Sequence, residues 1–179
     1  MAVLLDGKAL GLSIRETVKQ DVEVIRRETG VVPHLAVILV GDDPASQTYV
    51  KGKENACRNA GIRSTVLREP ADVSEAKLLS DIDALNADPS VHGILLQLPI
   101  PKHLDPDRII PRIDVRKDVD GFTPENVAAL VNGRPRLVPC TPRGVMRLLD
   151  HYGIGVAGRE CVVVGRSQIV GKPMAALLL

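Results

Sequence analysis

The chain has 179 residues, enough for one large domain or for a smaller domain and part of another, and its 45% apolar fraction is ordinary for a protein with a buried core. Its 23 basic and 22 acidic side chains leave a net charge of +1, which removes the electrostatic case for nucleic acid or an anionic membrane as a partner. No apolar run approaches membrane-spanning length, and residues 1–5 are too short for a signal sequence. Cys57, Cys140 and Cys161 form neither a CxxC nor a metal spacing, so no metal is expected, and they read as buried free thiols in a reducing cytoplasm. Aromatic residues make up only 2%, so the lone rings Tyr49, Phe122 and Tyr152 stand out against an aliphatic background.

Residues 6–28 carry Leu10, Ile14, Val18, Val22 and Ile25 on one helical stripe that Gly30 ends, and this helix is expected to pack on a sheet. Residues 36–40, AVILV, closed by Gly41, read as a strand covered on both faces. Asp43 and Pro44 then open a helix to Ala60, with Asp as N-cap and Pro in the first turn, where its missing N–H costs nothing. Tyr49 and Lys53, four residues apart, share a face of that helix. Residues 62–67 alternate apolar and polar as an edge strand would, and residues 73–85 keep helical periodicity through Ala76, Leu79, Ile82 and Leu85.

Residues 91–98, VHGILLQL, read as a further buried strand with the polar Gln97 at its end. Pro106 and Pro111 confine any helix over 105–113. The loop KDVDGF, 117–122, precedes a helix over 124–131 with Thr123 as N-cap. Gly133, Pro135 and Pro139 then break periodicity, which places a domain boundary between residues 138 and 139. Beyond it come a helix over 141–151, a strand over 160–164, a glycine loop over 165–171 and a helix beginning at Pro173. The alternation predicts an α/β fold, a parallel sheet wrapped by helices, followed by an incomplete second domain.

Singly, these polar residues are unremarkable: a helical Lys is usually solvated, an Asp beside Gly usually turns the chain, and a strand-end Gln often serves only the backbone. Their convergence carries the reading. Tyr49, Lys53 and Gln97 all follow strand ends, so a parallel sheet brings them to its carboxyl edge, where open α/β sheets bind ligands. Asp120 joins them only if its loop folds back over that edge. A Lys held against apolar strand ends loses hydration and becomes usable as a base or proton shuttle, with Gln97 to orient it and Asp120 to accept hydrogen bonds from an amine-rich heterocycle.

The segments VGDDPASQTYVKGK, GILLQLPIP, KDVDGFTPENV, PCTPRGV and GRSQIVGKP, in this order, resemble the bifunctional methylenetetrahydrofolate dehydrogenase/methenyltetrahydrofolate cyclohydrolase family of the bacterial FolD type. The resemblance implies NADP-dependent oxidation of 5,10-methylenetetrahydrofolate and hydrolysis of the methenyl product to 10-formyltetrahydrofolate. It implies further that Lys53 is the main acid–base residue, that Tyr49 lies in the folate cleft, that Gln97 supports Lys53 and that Asp120 binds the pterin. Lys51 falls outside the motif. The second domain of the family is a Rossmann-type NADP fold, onto whose phosphate-side loop Gly165, Arg166 and Ser167 map; this spacing is not GxGxxG, and Arg166 could equally meet a 2′-phosphate or solvent. Family members continue with further cofactor strands and are usually homodimers, so the folate site is expected to be the more complete of the two. A non-catalytic folate-binding or dimerising module is the competing class, although it would have no reason to keep all these motifs.

Overall fold

β1 (His34–Val40), β2 (Arg63–Glu69) and β3 (Gly93–Leu96) pair in parallel in the order β2-β1-β3 in a computed structural model that describes residues 3–179. β1 is central, and Ile38 lies opposite Leu67 on one side and Leu96 on the other. Parallel neighbours need crossover segments, supplied by α2 (Pro44–Asn59) between β1 and β2 and by α3 (Glu75–Ala87) between β2 and β3. β1 and β3 are buried on both faces, whereas β2 alternates as an edge strand does. Ile38, Ile82, Ile94, Leu96 and Ile109 form the centre of the core, the last from the short helix α4 (Pro106–Ile109), which runs into a 3-10 turn at Ile110–Arg112. These elements lie within one compact unit, Arg15–Asp118, which also takes most of α1 (Gly7–Thr29).

Two expectations shift at this level. Of the α1 stripe only Val22 is buried, and a Cβ on Gly61, which has φ +75°, would lie 3.4 Å from its Cγ1; Ile25 is exposed. An apolar stripe tells which face seeks cover, not how much of it is covered. In α3 the buried positions are Leu78 and Ile82, while Ala76 is exposed. Ser74, whose Oγ accepts the Lys77 N–H at 3.2 Å, starts this helix two residues later than its periodicity suggested, and the larger Leu78 takes the core position.

The second unit comprises Val119–Leu179 with the N-terminal segment through Ile14. In it, α7 (Gly171–Leu178) packs against both α5 (Pro124–Val131) and α6 (Cys140–His151). The Tyr152 hydroxyl accepts the Asp6 N–H at 2.9 Å. Residues 160–164 are not a strand here: no described residue pairs with them, and Val162 and Val164 are 90% and 98% exposed. The thiols also differ from expectation. Cys57 is buried, and burial raises its pKa, but Cys140 and Cys161 are exposed. They lie at a helix start and in the unpaired run, where no core layer covers them.

Candidate active site

The carboxyl end of β1 turns through Gly41, whose φ of +79° only glycine takes without strain and whose N–H donates to the Glu69 carbonyl at 2.8 Å. Asp43 then caps α2 by accepting the Ser46 N–H at 2.7 Å, and that bond holds its carboxyl below the usual carboxylate range. With its start fixed, α2 carries Lys53 back to the sheet. Gln97 follows directly on β3 and is tethered to β1 by its N–H, which donates to the Ile38 carbonyl at 2.9 Å.

Lys53 Nζ donates to Gln97 Oε1 at 2.7 Å, and Gln97 Nε2 donates to the Leu98 carbonyl at 2.6 Å. An ammonium or amine nitrogen serves here as donor and a carbonyl only as acceptor, so both contacts require the same orientation of the amide. Gln97 is 9% exposed and Lys53 half-buried, so the pair is partly withdrawn from water. Thus the structure brings together two of the residues singled out in the sequence. Tyr49, one turn earlier on α2, leaves its ring 64% exposed, available to stack on a flat ligand.

Ser46 was not singled out; its side chain is buried seven residues before Lys53 on that face of α2, and with its N–H it helps to hold down the Asp43 carboxyl. The sequence signal was present in the i, i+3, i+7 spacing of Ser46, Tyr49 and Lys53, hidden by the frequency of Ser in first helical turns.

Lys117 was also passed over. Its Nζ donates to the carbonyls of Leu85, Asn86 and Asp88 at 3.0, 2.8 and 2.7 Å, while its own carbonyl accepts the Ile94 N–H at 2.7 Å. Asp118 next to it is buried and forms a parallel bridge opposite Ile94. Asp120 belongs to the second unit, where it is half-buried with Cys140 Sγ 4.0 Å from its Oδ1. Gly121 beside it has φ +67°, and a Cβ there would meet the Leu137 carbonyl oxygen at 3.0 Å, so a side chain at that position would be both strained and crowded.

In the same unit, Gly165 and Arg166 are exposed and Ser167 Oγ accepts the N–H groups of Val170 and Gly171 at 3.1 and 3.2 Å, which leaves its own proton to donate. A Cβ on Gly171 would fall 2.5 Å from the Gly165 carbonyl oxygen, so glycine is needed for the loop to close on the start of α7. The first N–H groups of α7 are engaged inside the loop, that of Lys172 by the Ser167 carbonyl at 3.0 Å, so what the loop has left to offer an anion is the Ser167 hydroxyl proton and the exposed Arg166. An apolar cavity of about 800 Å³ lies beside the unpaired run 160–164, lined among others by Val145, Leu149, Val163, Met174 and Leu178. Among the described residues no group of His, Cys, Asp or Glu side chains could hold a metal ion, and no helix is long and apolar enough to cross a membrane.

The family model for the tetrahydrofolate dehydrogenase/cyclohydrolase catalytic domain matches residues 5–120, and that for the NAD(P)-binding domain of the same enzymes matches residues 139–179. The chain is similar to the bifunctional protein FolD of a Nitratiruptor strain, 53% identical over 176 residues that cover 98% of this chain and 62% of that protein. Among solved structures, the bifunctional FolD methylenetetrahydrofolate dehydrogenase/cyclohydrolase of Campylobacter jejuni superposes with a TM-score of 0.96 at 49% identity, covering 98% of this chain and 62% of that one. The Trypanosoma brucei methylenetetrahydrofolate dehydrogenase-cyclohydrolase, complexed with NADP and an inhibitor, gives a TM-score of 0.94 at 37% identity, covering 99% and 61%. The chain thus spans about 62% of the length of the curated relatives.

Proposed function

The chain belongs to the tetrahydrofolate dehydrogenase/cyclohydrolase family, and from that premise we propose that its sheet edge binds tetrahydrofolate derivatives and hydrolyses 5,10-methenyltetrahydrofolate to 10-formyltetrahydrofolate, with Lys53 as acid and base. The observation that carries this reading is the 2.7 Å contact of Lys53 Nζ with Gln97 Oε1. By accepting from Nζ, Gln97 fixes the direction in which the Lys53 nitrogen faces the ligand. Lys53 removes a proton from the water that attacks the electron-poor methenyl carbon, then returns it to N5 as the carbon–N5 bond breaks. The remaining hydroxyl proton leaves to solvent as the formyl carbonyl forms on N10. A group so placed is worth roughly a hundred- to ten-thousandfold in rate. Tyr49 lies along the ligand, and Asp120 accepts hydrogen bonds from the pterin.

The oxidation of 5,10-methylenetetrahydrofolate belongs to the same proposal. Gly165, Arg166 and Ser167 would hold the phosphates of NADP, and the bound nicotinamide supplies a hydride acceptor. The Ser167 hydroxyl proton and the exposed Arg166 beside it support that role. The family matches at 5–120 and 139–179 support a division into a folate-binding domain over 1–138 and a dinucleotide-binding portion over 139–179. A cytoplasmic location and a homodimer complete the reading, supported by the three free cysteines and by the family resemblance.

Decay of methenyl absorbance tests the hydrolysis: Lys53→Met is expected to lower the rate about a hundred- to ten-thousandfold, and unchanged turnover would remove the role. Formation of NADPH on addition of methylenetetrahydrofolate tests the oxidation. The unpaired run 160–164 favours a second reading in which folate is bound, and even hydrolysed, without oxidation; ligand binding with neither turnover would establish a non-catalytic module instead.

A further inference from the structure

We propose that His92 and His34 form an acid-released latch on the amino edge of the sheet, in which neutral His92 holds the first residue of β1 and protonated His92 lets it go. The latch sits at the end of the strands opposite Gln97 and does not depend on what the other end binds. His34 opens β1, and His92 stands immediately before β3. The His34 N–H donates to Nδ1 of His92 at 3.1 Å, and the His92 N–H donates to the His34 carbonyl at 3.0 Å. Both main-chain groups of His34 are thus held by one residue, and one of them is held by an imidazole.

A main-chain N–H can only donate, so Nδ1 of His92 carries no proton and the neutral ring keeps its hydrogen on Nε2. A proton added to Nδ1 would set two N–H groups against each other. The ring must then swing out, which its exposed position allows, and the N–H of the buried His34 loses its partner. The His34 ring closes the same edge, with Nδ1 donating to the Ser90 carbonyl at 3.0 Å and Nε2 accepting from Thr65 Oγ1 at 2.9 Å. A proton on that Nε2 is less disruptive, because the Thr65 hydroxyl can rotate from donor to acceptor. The acceptor that switches is therefore on His92.

The charges around the pair come from three directions. Burial is the main obstacle to a proton on His34; Arg63 of β2 and His92 itself add to it, while the Ser90 bond and Asp88, the C-cap of α3, oppose it. The Asp88 carboxylate already accepts the Ser90 N–H at 2.7 Å and feels the charge of Lys117, whose Nζ donates to the Asp88 carbonyl at 2.7 Å. Its pull on a second imidazolium is reduced accordingly. Imidazoles change charge between about pH 5 and 8, so acidification through that range opens the latch and a rise in pH closes it.

Amide hydrogen exchange on the whole chain, corrected for the intrinsic pH dependence of exchange, tests this. From about pH 7.5 to about pH 5.5 the protection of the His34 amide is expected to fall about tenfold. The Gln97 amide, bonded to the carbonyl of Ile38 about 13 Å further along β1 at strand rise, should stay level. His92→Asn offers an amide oxygen in place of Nδ1 and does not titrate, so it should keep the His34 amide protected at both pH values; His92→Leu should leave it unprotected at both. An unchanged His34 amide in the unsubstituted chain, a loss as large in His92→Asn, or an equal loss at Gln97 would overturn the latch. If His92→Leu does not fold, long-range proton–nitrogen spectra of the unsubstituted chain at about pH 8 replace it. They should show His92 with its hydrogen on Nε2, and a hydrogen on Nδ1 would overturn the proposal.

Discussion

Residues 36–41, AVILVG, and residues 161–165, CVVVG, are nearly the same text: a β-branched apolar run closed by glycine. In the first, β1 lies between two strands, and Val37, Ile38 and Leu39 are 1%, 0% and 2% exposed. In the second, Val162 and Val164 are 90% and 98% exposed, and among the described residues no neighbour pairs with them. Propensity makes a strand available, and ladder partners make it. The difference reaches the chemistry, because the Lys53–Gln97 contact is set by the pairing of β1 with β3, while the loop after Val164 is held by the Ser167 hydroxyl at the start of α7.

The comparison is sharpened most by truncating the paired run. Ile38→Ala is expected to cost about 2–5 kcal/mol in urea unfolding, since its side chain is enclosed by core residues of α3 and β3. A smaller contribution sits at the opposite end of the same strand. His34 is buried, with Nδ1 donating to the Ser90 carbonyl at 3.0 Å and Nε2 accepting from Thr65 Oγ1 at 2.9 Å. Burial is the main cause of its lowered pKa, reinforced by Arg63 and His92 and opposed by the Ser90 bond and Asp88. Between its folded pKa and the ordinary value of 6.5 the unfolded chain binds more protons, so stability falls as pH drops through that window and is level above it. Urea midpoints from pH 5 to 8 should show this slope, and His34→Gln should reduce it. Val164→Ala is the smallest effect, within about 0.5 kcal/mol. A loss comparable to that of Ile38→Ala would mean that the second run is covered after all, and the contrast would fail.

Much of the architecture was legible because its signals are local. Asp43 and Pro44 mark the start of α2, Gly30 ends α1, and the apolar runs announce β1 and β3. The pairing of Lys53 with Gln97 was legible too, since helix spacing and strand ends fix both side chains at one edge. What escaped the sequence depends on partners distant in the chain. Nothing in VVV says whether a neighbouring strand exists, nothing in KDVDG says that its lysine reaches a helix end 29–32 residues earlier, and the burial of Ser46 appears only once α2 is packed. The exposure of Cys140 and Cys161 is of the same kind, because a thiol is buried by its neighbours and not by its identity.

The open run at 160–165 also has a consequence for the lifetime of the chain. Peptidases add their substrates as a strand to their own cleft, and here the run is largely exposed and, among the described residues, unpaired, with Arg159 and Arg166 at either end as cleavage points for a trypsin-like enzyme. Digestion would begin there, while the sheet carrying Lys53 and Gln97, whose backbone groups are engaged in ladders, would persist as the resistant fragment.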